Sequence, residues 1–422
     1  MALAAITRLG PCTYPAPARQ FVSDADRIPA DAVWVNGVPP DDPLLFEHAG
    51  ARPALFFKPG TGRAAIVTCG GLCPGLNNVI RSLYLELHHG YGISEVLGFR
   101  HGYGGLDPDA ELKPIALDLD EVDDIHRDGG TILGTSRGPV DIARAVNNLI
   151  AQGISMLFCV GGDGTQRGAF EIYEEAKRRG HPLAVVGVPK TIDNDITFVD
   201  RTFGFVTAVN EARDVIDCAH TECHSVDMGV SLVRLMGRHA GFIAAAATLA
   251  SQDVNLCLIP EVPFTLDGPN GILAYLEQRL RRRRHAVVVV AEGAGQHCFD
   301  SAQGSDKSGN AKLHDIGEFL DQKIRAWAAD IKLPITMRYF DPGYQIRSSA
   351  ANTVDAVLCD RFARHAVHAA MSGRTGLIIG SVNGHFVHVP TALLKQHPRT
   401  LAPDADIWQG VLASTGQPAT WS

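Results

Sequence analysis

Residues 155–195 read SMLFCVGGDGTQRGAFEIYEEAKRRGHPLAVVGVPKTIDND. Two short apolar runs in this stretch, Ser155–Val160 and Leu183–Val188, predict buried strands. Residues near Gln166–Arg179 have the spacing of an amphipathic helix, and a glycine-rich turn separates that helix from the first strand. A strand, a helix and a second strand in this order make a βαβ unit, which predicts a mainly parallel sheet.

The same alternation continues on both sides of this stretch. The further predicted strands are Ala64–Cys69, Gly229–Leu235, Leu256–Ile259 and His285–Val290, with a hairpin over Gly376–Val389. The further predicted helices are Asn77–His89, Val206–Ala219, Phe242–Ala250, Ile272–Arg284 and Ala351–Met371. This order predicts an α/β protein with helices on both faces of its sheets, whereas the proline-rich residues before about Gly60 predict an irregular extension.

The composition is typical of a globular protein with a substantial core. Apolar residues make up 45% and charged residues 20% of 422 residues, a length that predicts two or three domains. The net charge of −8 argues against a nucleic-acid partner, and no apolar run approaches the ~20 residues that span a membrane. Nine cysteines without a CxxC pair, and an N-terminus without a signal-peptide pattern, predict reduced thiols in a cytoplasmic protein.

Glycine-rich turns follow two of the predicted strands, at the sheet edge where ligands of open α/β sheets bind. GGLCPG (Gly70–Gly75) leads into a helix whose N-terminal N–H groups attract phosphate, although a purely structural turn is equally consistent with it. GGDGT (Gly161–Thr165) holds Asp163 between glycines. This carboxylate suits Mg²⁺, which prefers a few carboxylates together with phosphate oxygens and water; capping of the next helix is the alternative.

Polar residues also follow the later strands. In TIDND (Thr191–Asp195) two carboxylates stand two residues apart, so one is suited to accept a hydroxyl proton; an Asx turn is the structural alternative. Arg238 follows a strand, where it would stabilise a transferring phosphoryl group or form a surface salt bridge. Glu292 ends a strand and suits sugar hydroxyls, while Arg347 with its neighbours suits a sugar phosphate.

Together these motifs resemble the 6-phosphofructokinase family, over roughly Arg63 to Met371. GGDGT, TIDND and MGR (Met236–Arg238) in this order and spacing are highly specific. The N-terminal extension, PKTIDND and YFDPGYQIR (Tyr339–Arg347) are most similar to the longer ATP-dependent enzymes of plants and kinetoplastids. The resemblance implies two Rossmann-like three-layer α/β domains with mainly parallel sheets and an active site in the cleft between them.

The resemblance also implies domain boundaries. Residues 1–62 would be an N-terminal extension, and residues 63–200 with about 345–400 would bind the phosphoryl donor. Residues 201–344 would bind fructose 6-phosphate, and residues 401–422 would form a C-terminal tail. The chain would therefore cross between the domains more than once.

The implied reaction is phosphorylation of the 1-hydroxyl of D-fructose 6-phosphate by MgATP, a glycolytic step that gives fructose 1,6-bisphosphate. The catalytic residues implied are Asp193, as the base, together with Arg238, Thr191 and Asp195. The residues implied to bind the phosphoryl donor are Gly70, Gly71, Arg137, Gly138, Gly162, Asp163, Gly164, Thr165 and Lys190, with Asp163 as the Mg²⁺ ligand. The residues implied to bind the sugar phosphate are Thr191, Ile192, Asp193, Met236, Gly237, Arg238, Glu292, Arg338, Tyr344, Gln345, Ile346 and Arg347.

Two features limit this transfer of roles. Compact bacterial members have an Arg nine residues before the Arg of MGR, where this chain has Gly229, so their inter-subunit contact and allosteric behaviour are not carried over. Gly164 is shared with ATP users, whereas pyrophosphate users have an Asp at this position. Lys190 points the other way, because this chain shares it with pyrophosphate users. Because the Asp is the steric block, we predict ATP as the donor and keep pyrophosphate as the alternative.

Other functions use parts of the same pattern. NAD kinases and lipid kinases also contain GGDGT but lack TIDND and MGR at these distances. A non-catalytic sugar-phosphate sensor would be expected to have lost Asp163, Asp193 or Arg238, and all three are present. The resemblance further implies a homodimer or homotetramer in which Arg338 reaches the sugar phosphate of a neighbouring subunit.

Overall fold

The computed structural model describes residues 4–17, 20–34, 36–38, 43–138, 140–299, 304, 312–395 and 399–421. The chain divides into two compact units. Unit 1 comprises Met1–Ile192, Ile196–Gly204 and Ser348–His397, and unit 2 comprises Asp193–Asp195, Phe205–Arg347 and Pro398–Ser422. The assignment of donor binding to one part of the chain and sugar binding to another stays a prediction.

The strands and helices of the described residues are numbered separately in chain order. The strands are β1 (Thr7–Arg8), β2 (Tyr14–Pro15), β3 (Arg27–Pro29), β4 (Leu45–His48), β5 (Ala54–Leu55), β6 (Arg63–Thr68), β7 (Glu95–Phe99), β8 (Ile115–Leu117), β9 (Ile154–Gly161), β10 (Ala184–Pro189), β11 (Gly229–Leu235), β12 (Leu256–Leu258), β13 (His285–Ala291), β14 (Thr336–Phe340), β15 (Arg374–Thr375), β16 (Leu377–Val382) and β17 (His385–Pro390). The helices are α1 (Leu76–Leu85), α2 (Ile142–Ala151), α3 (Asp163–Arg178), α4 (Phe205–His224), α5 (Phe242–Ser251), α6 (Ile272–Arg283), α7 (Ile316–Asp330), α8 (Gly343–Ser348), α9 (Thr353–Met371) and α10 (Asp406–Thr415). A π-helical turn continues α1 over Glu86–Gly90, and short 3₁₀ turns span Gly102–Leu106, Ile125–Arg127, Gln296–Cys298 and Thr391–Lys395.

The main sheet of unit 1 has the strand order β3-β4-β17-β16-β10-β9-β6-β7-β8. Its five central strands, from β16 to β7, are parallel, and antiparallel strands extend both edges. Counted along the chain, the parallel strands have the order 2-1-3-4-5, in which the topology reverses between β6 and β9. Open sheets of this kind bind ligands at the carboxyl ends of the strands beside that reversal.

The faces of this sheet explain why its strands are continuously apolar. Alternate residues of the central strands, such as Val67, Leu157 and Val185, pack with the apolar faces of α2 and α3. Their chain neighbours Ile66 and Phe158 are equally buried. Because side chains of a strand alternate between faces, both faces of the sheet are covered, as the sequence predicts for a parallel sheet.

The N-terminal residues differ from the prediction of an irregular extension. Strands β3 and β4 extend the main sheet, with β4 paired to β17. Glu47 of β4 is buried and accepts hydrogen bonds from Arg52, at 3.1 Å, and from Arg374. Asp24 also accepts from Arg52, at 2.7 Å, and from Arg374, at 2.6 Å. Such long-range ion pairs leave no periodicity in the sequence, which is why the pattern there predicted no strands.

Unit 2 contains a four-stranded parallel sheet in the order β12-β13-β11-β14. Leu235 at the end of β11 is in register with Ala291 at the end of β13, so the loops that follow both strands leave the same edge.

The predicted C-terminal tail contains α10, and the Gln417 side chain pairs with the backbone of Cys257 in β12 at 2.7 and 3.0 Å. The run Arg281–Arg284 is exposed.

These two sheets confirm the predicted α/β fold class. Most predicted strands and helices agree with the observed bounds to within one to three residues at each end, as for β11 and α5. None of the helices in the described part of the chain is long and apolar enough to cross a bilayer.

Candidate active site

Two glycine turns of unit 1 lie beside the reversal point of its sheet, because Gly70-Gly71 follows β6 and Gly162–Thr165 follows β9. The backbone at Gly70 has φ +86°, a left-handed conformation that favours glycine. The Gly70 carbonyl accepts a hydrogen bond from Thr135 Oγ1 at 2.6 Å. The Gly70 N–H donates to the Ser136 carbonyl at 3.1 Å. Two hydrogen bonds therefore define the shape of this turn.

Two cationic side chains border the same turn. The buried Lys190 extends to the Gly71 carbonyl, with Nζ 2.7 Å from the oxygen. A methyl group built on Gly70 would lie 3.1 Å from Lys190 Nζ, and one built on Gly71 would lie 3.1 Å from Arg137 Nη2. The structure thus brings together four of the predicted donor-binding residues, in an arrangement that combines positive charge with a half-buried glycine backbone.

GGDGT forms the start of α3. Gly162 is the residue before the helix, and Asp163 and Gly164 occupy its first turn with both residues exposed. Thr165 is buried, and its carbonyl accepts a hydrogen bond from Tyr103 Oη at 2.6 Å. A methyl group built on Gly164 would meet nothing closer than Arg167 Nη2, at 3.9 Å. Packing of the protein itself therefore does not require glycine at position 164.

One exposed carboxylate of unit 1 suits a magnesium ion that arrives bound to phosphate. Within the described ranges, no three His, Cys, Asp or Glu side chains are grouped so that they could hold a metal ion by themselves. Magnesium commonly binds one or two carboxylates and completes its shell with phosphate oxygens and water. Exposed Asp163, at a helix N-terminus that also attracts phosphate, fits that mode of binding.

In unit 2, the loops after β11 and β13 are locked together. The Glu292 N–H donates to the Leu235 carbonyl at 2.9 Å, and the Gly293 N–H donates to the Gly237 carbonyl at 3.0 Å. Gly237 has φ +125°, and any side chain on Gly293 would collide with the Arg238 carbonyl, 1.9 Å from the Cβ position. The predicted residues Arg238 and Glu292 are thus held beside one another by backbone contacts.

Asp193 stands at the centre of this group. Burial of its carboxyl, with the nearby charges of Asp195 and Glu292, raises the pKa of Asp193 from 3.8 to about 8. A hydrogen bond from the Arg238 backbone and the charge of Arg347 oppose that rise in pKa. Four predicted site residues therefore surround the predicted base, and its pKa is moved towards the range in which a general base works best.

Arg238 has the properties of an anion-binding side chain. Its Nε and Nη2 atoms are buried and have no hydrogen-bond partner among the residues that the structure describes. Buried guanidinium N–H groups normally donate to a hydrogen-bond acceptor. These two atoms are therefore suited to a ligand that supplies acceptors. A phosphoryl group offers such acceptors and matches the planar donor geometry of arginine.

The remaining predicted residues lie on or near β14 and α8. Arg347 Nε donates to the Gly343 carbonyl at 3.2 Å, and its guanidinium lies 5.0 Å from the centre of the Tyr344 ring. Tyr344 is 81% exposed, so it is open to a ligand. Arg338 on β14 is exposed, with Nε 3.8 Å from Glu222 Oε2. Its predicted role towards a neighbouring subunit stays a prediction.

The other predicted residues differ in burial and in backbone conformation. Met236, Ile192 and Ile346 are buried, and the Thr191 carbonyl accepts a hydrogen bond from Thr202 Oγ1 at 2.7 Å. Gly138 has φ +143°, a conformation open to glycine, and Gln345 is exposed.

Arg234 was missed by the sequence interpretation. It lies near the end of β11 and contacts Asp341, Glu292 at 3.4 Å and Asp315 at 3.8 Å. These contacts link the loop after β13 to the loop after β14, so Arg234 supports Glu292. A charged residue inside a strand that is otherwise apolar, VSLVRL, is the signal that would have revealed it.

The raised pKa of Asp193 predicts a pH dependence. A general base must be deprotonated, so kcat/KM for the sugar should rise about tenfold per pH unit and level off near pH 8. Asp195→Asn removes a neighbouring negative charge and should move this rise to lower pH. Initial rates between pH 5.5 and 9 measure both effects, and a profile that Asp195→Asn leaves unmoved would contradict the assignment.

Solved structures place the fold in a class. The pyrophosphate-dependent phosphofructokinase from Nitrosospira multiformis matches with a TM-score of 0.70 at 18% identity, over 86% of this chain and 93% of that one. The Pichia pastoris phosphofructokinase matches with a TM-score of 0.65 at 23% identity, over 85% of this chain and 37% of that one. The fold is therefore that of the two-domain α/β phosphofructokinases.

Sequence relatives are closer. The chain is 45% identical to ATP-dependent 6-phosphofructokinase 5, chloroplastic, from Arabidopsis thaliana, over 93% of this chain and 72% of that protein. It is 46% identical to ATP-dependent 6-phosphofructokinase from Borreliella burgdorferi, over 89% and 86% of the two chains. The corresponding Trypanosoma brucei brucei enzyme is 43% identical over 96% and 86%. The family model described as phosphofructokinase matches residues 63–370. The chain belongs to the phosphofructokinase family, and the predicted resemblance is confirmed.

Proposed function

We propose that this chain is an ATP-dependent 6-phosphofructokinase, which transfers the γ-phosphoryl group of ATP to the 1-hydroxyl of D-fructose 6-phosphate. The product is fructose 1,6-bisphosphate, as in glycolysis. Three relatives named ATP-dependent 6-phosphofructokinase, at 43–46% identity over about nine tenths of this chain, support this activity and favour ATP over pyrophosphate.

The observation that carries the proposal is the pairing of Asp193 with Arg238. A carboxyl whose pKa is raised to about 8 lies next to an arginine with two buried donors that lack partners among the described residues. Phosphoryl transfer to a hydroxyl needs a group that accepts the hydroxyl proton and a cation that stabilises charge on the moving phosphoryl group. These two residues supply both.

In the proposed mechanism, an Asp193 carboxylate oxygen takes the proton from the sugar 1-hydroxyl as the hydroxyl oxygen attacks the γ-phosphorus of ATP. The bond between that phosphorus and the bridging oxygen breaks, and ADP leaves with the electron pair. The guanidinium of Arg238 donates to the phosphoryl oxygens, whose negative charge is spread over the group in the transition state. Mg²⁺ bound with the nucleotide would neutralise phosphate charge, with Asp163 as its protein ligand. The proton then resides on Asp193 until solvent removes it.

The sugar phosphate would be held by Arg347, beside the exposed ring of Tyr344. Glu292, which Arg234 holds in place, would accept hydrogen bonds from sugar hydroxyls. Arg338 is proposed to reach the sugar phosphate of a neighbouring subunit in a homodimer or homotetramer. A cytoplasmic location is proposed on the sequence pattern described above.

Pyrophosphate remains the second candidate donor because of Lys190. The donor is tested by initial rates on fructose 6-phosphate and Mg²⁺, with ATP and pyrophosphate compared at equal concentration. Activity with ATP and little with pyrophosphate is expected. Turnover with pyrophosphate alone would overturn the ATP assignment, and no turnover with either donor would overturn the proposed activity.

The assignment of Arg347 predicts a binding defect. Arg347→Ala should raise the KM for fructose 6-phosphate, because removal of one partner of a hydrogen-bonded charge pair costs ~2–5 kcal/mol. The fall in kcat should be smaller than the rise in KM. Arg361→Ala is a matched control: its guanidinium also lies over an aromatic ring, 4.5 Å from the centre of Phe386, but Arg361 belongs to α9 and not to the motif. Steady-state kinetics at varied fructose 6-phosphate decide the matter, and equal KM values for the two variants would refute the role.

A further inference from the structure

The C-terminal residues Arg399 and Leu401 contact the loop of unit 2 that carries the proposed base and a second loop, which contains Glu261. The Arg399 N–H donates to the Asp195 carbonyl at 2.9 Å, two residues from the proposed base. The Leu401 N–H donates to Glu261 Oε1 at 2.7 Å. These residues lie beyond 63–370, the part of the chain that the family model matches.

Glu261 extends this connection to the loop after β11. Its two carboxylate oxygens lie 3.0 and 3.1 Å from the Gly241 nitrogen, so the Gly241 N–H donates to the carboxylate. Gly241 directly precedes α5 and is three residues after Arg238. Hydrogen bonds from backbone N–H groups to a carboxylate are among the stronger ones, and a negative charge is favoured at a helix N-terminus.

The Arg399 side chain adds a second link to the same helix. Its guanidinium lies 4.8 Å from the centre of the Phe242 ring, the first residue of α5. Thr400, between the two bonded residues, is exposed. Three contacts therefore join residues 399–401 to the Asp193–Asp195 loop, to Glu261 and to the start of α5.

We propose that Glu261 and Arg399 are positioning residues, which hold the Asp193–Asp195 loop and the Arg238 loop in a fixed relation through residues 399–401. Neither residue touches the reacting atoms. Both act by keeping the base and the phosphoryl-binding arginine at a fixed distance and orientation. A displacement of catalytic groups by about 1 Å can cost ~10²-fold in rate. The inference rests on the proposed function.

The test compares Arg399→Ala and Glu261→Gln with the matched control Thr400→Ala. Both positioning variants should lower kcat about 10- to 100-fold with KM for fructose 6-phosphate within about twofold, whereas Thr400→Ala should match the wild type. Arg399→Lys keeps the cation over Phe242 and should restore most of the rate. A kcat unchanged in both variants, or equally lowered by Thr400→Ala, would overturn the proposal.

A double-mutant comparison separates positioning from general damage to the fold. In an Asp193→Asn background, Arg399→Ala should lower the residual rate by less than threefold, because the group that it positions is already lost. A full additional loss in that background would refute a role through Asp193.

Amide hydrogen exchange gives a readout that does not depend on activity. The Gly241 amide should exchange faster in Glu261→Ala than in the wild type, and Thr400→Ala should leave it unchanged. If the wild type proves inactive on fructose 6-phosphate, the proposed function fails, whereas unchanged exchange at Gly241 would refute the link through Glu261 by itself.

Discussion

Asp193→Asn should lower kcat by about 10²- to 10⁴-fold, the usual loss when a general base is removed. The substitution keeps the size of the side chain and its ability to accept a hydrogen bond from the Arg238 backbone. It removes only the capacity to take a proton. The KM for ATP should change little, and the rise of kcat/KM with pH towards pH 8 should disappear, as steady-state kinetics across pH would show.

Stability measurements give the control for this variant. The pKa of Asp193 is about 8 in the folded protein against an ordinary 3.8, so between these values the folded state binds an extra proton. The free energy of unfolding therefore falls as pH rises through that window, and Asp193→Asn should unfold at an equal or higher temperature at pH 8. Asp214→Asn, the same change at an exposed site, should keep full activity. Turnover near the wild-type value in Asp193→Asn would exclude Asp193 as the base.

Much of this site could be predicted because its residues follow strands. GGDGT follows a strand of the unit 1 sheet, and MGR and Glu292 follow two neighbouring parallel strands of the unit 2 sheet, which end at one edge of that sheet. Local sequence alone therefore placed them near ligands. The specific role of each residue came from the resemblance to a family, since spacing does not distinguish a base from a helix cap.

What the sequence left unpredicted depends on contacts between distant residues. Arg234 is defined by carboxylates that lie 58, 81 and 107 positions away, at Glu292, Asp315 and Asp341. The link from Leu401 to Glu261 spans 140 positions, and the bond between Glu47 of strand β4 and Arg374 spans 327. Sequence periodicity does not predict contacts between residues so far apart in the chain, so these contacts can be seen only in the folded structure.

Gly164→Asp should reduce kcat/KM for ATP by about 10²- to 10³-fold and reduce any use of pyrophosphate far less. The added carboxylate would face phosphate oxygens, and two like charges ~4 Å apart repel by ~4 kcal/mol at an effective dielectric near 20, before screening. Arg167, whose Nη2 lies 3.9 Å from the position of the new Cβ, would offset part of that charge. Pyrophosphate lacks the α-phosphate that would occupy this space.

The fold should tolerate this substitution, which makes the kinetic result a statement about the donor. A Cβ at position 164 meets no atom within 3.9 Å, and aspartate is favourable in the first turn of a helix such as α3. Gly164→Asn adds the same volume without the charge, so comparison of the two variants divides the loss between steric and electrostatic causes.

Lys190 bears on pyrophosphate as the alternative donor. Its ammonium lies at the Gly71 carbonyl beside the phosphate-binding turn and would attract pyrophosphate as well as ATP. Equal losses with both donors in Gly164→Asp would therefore mean that position 164 does not select the donor.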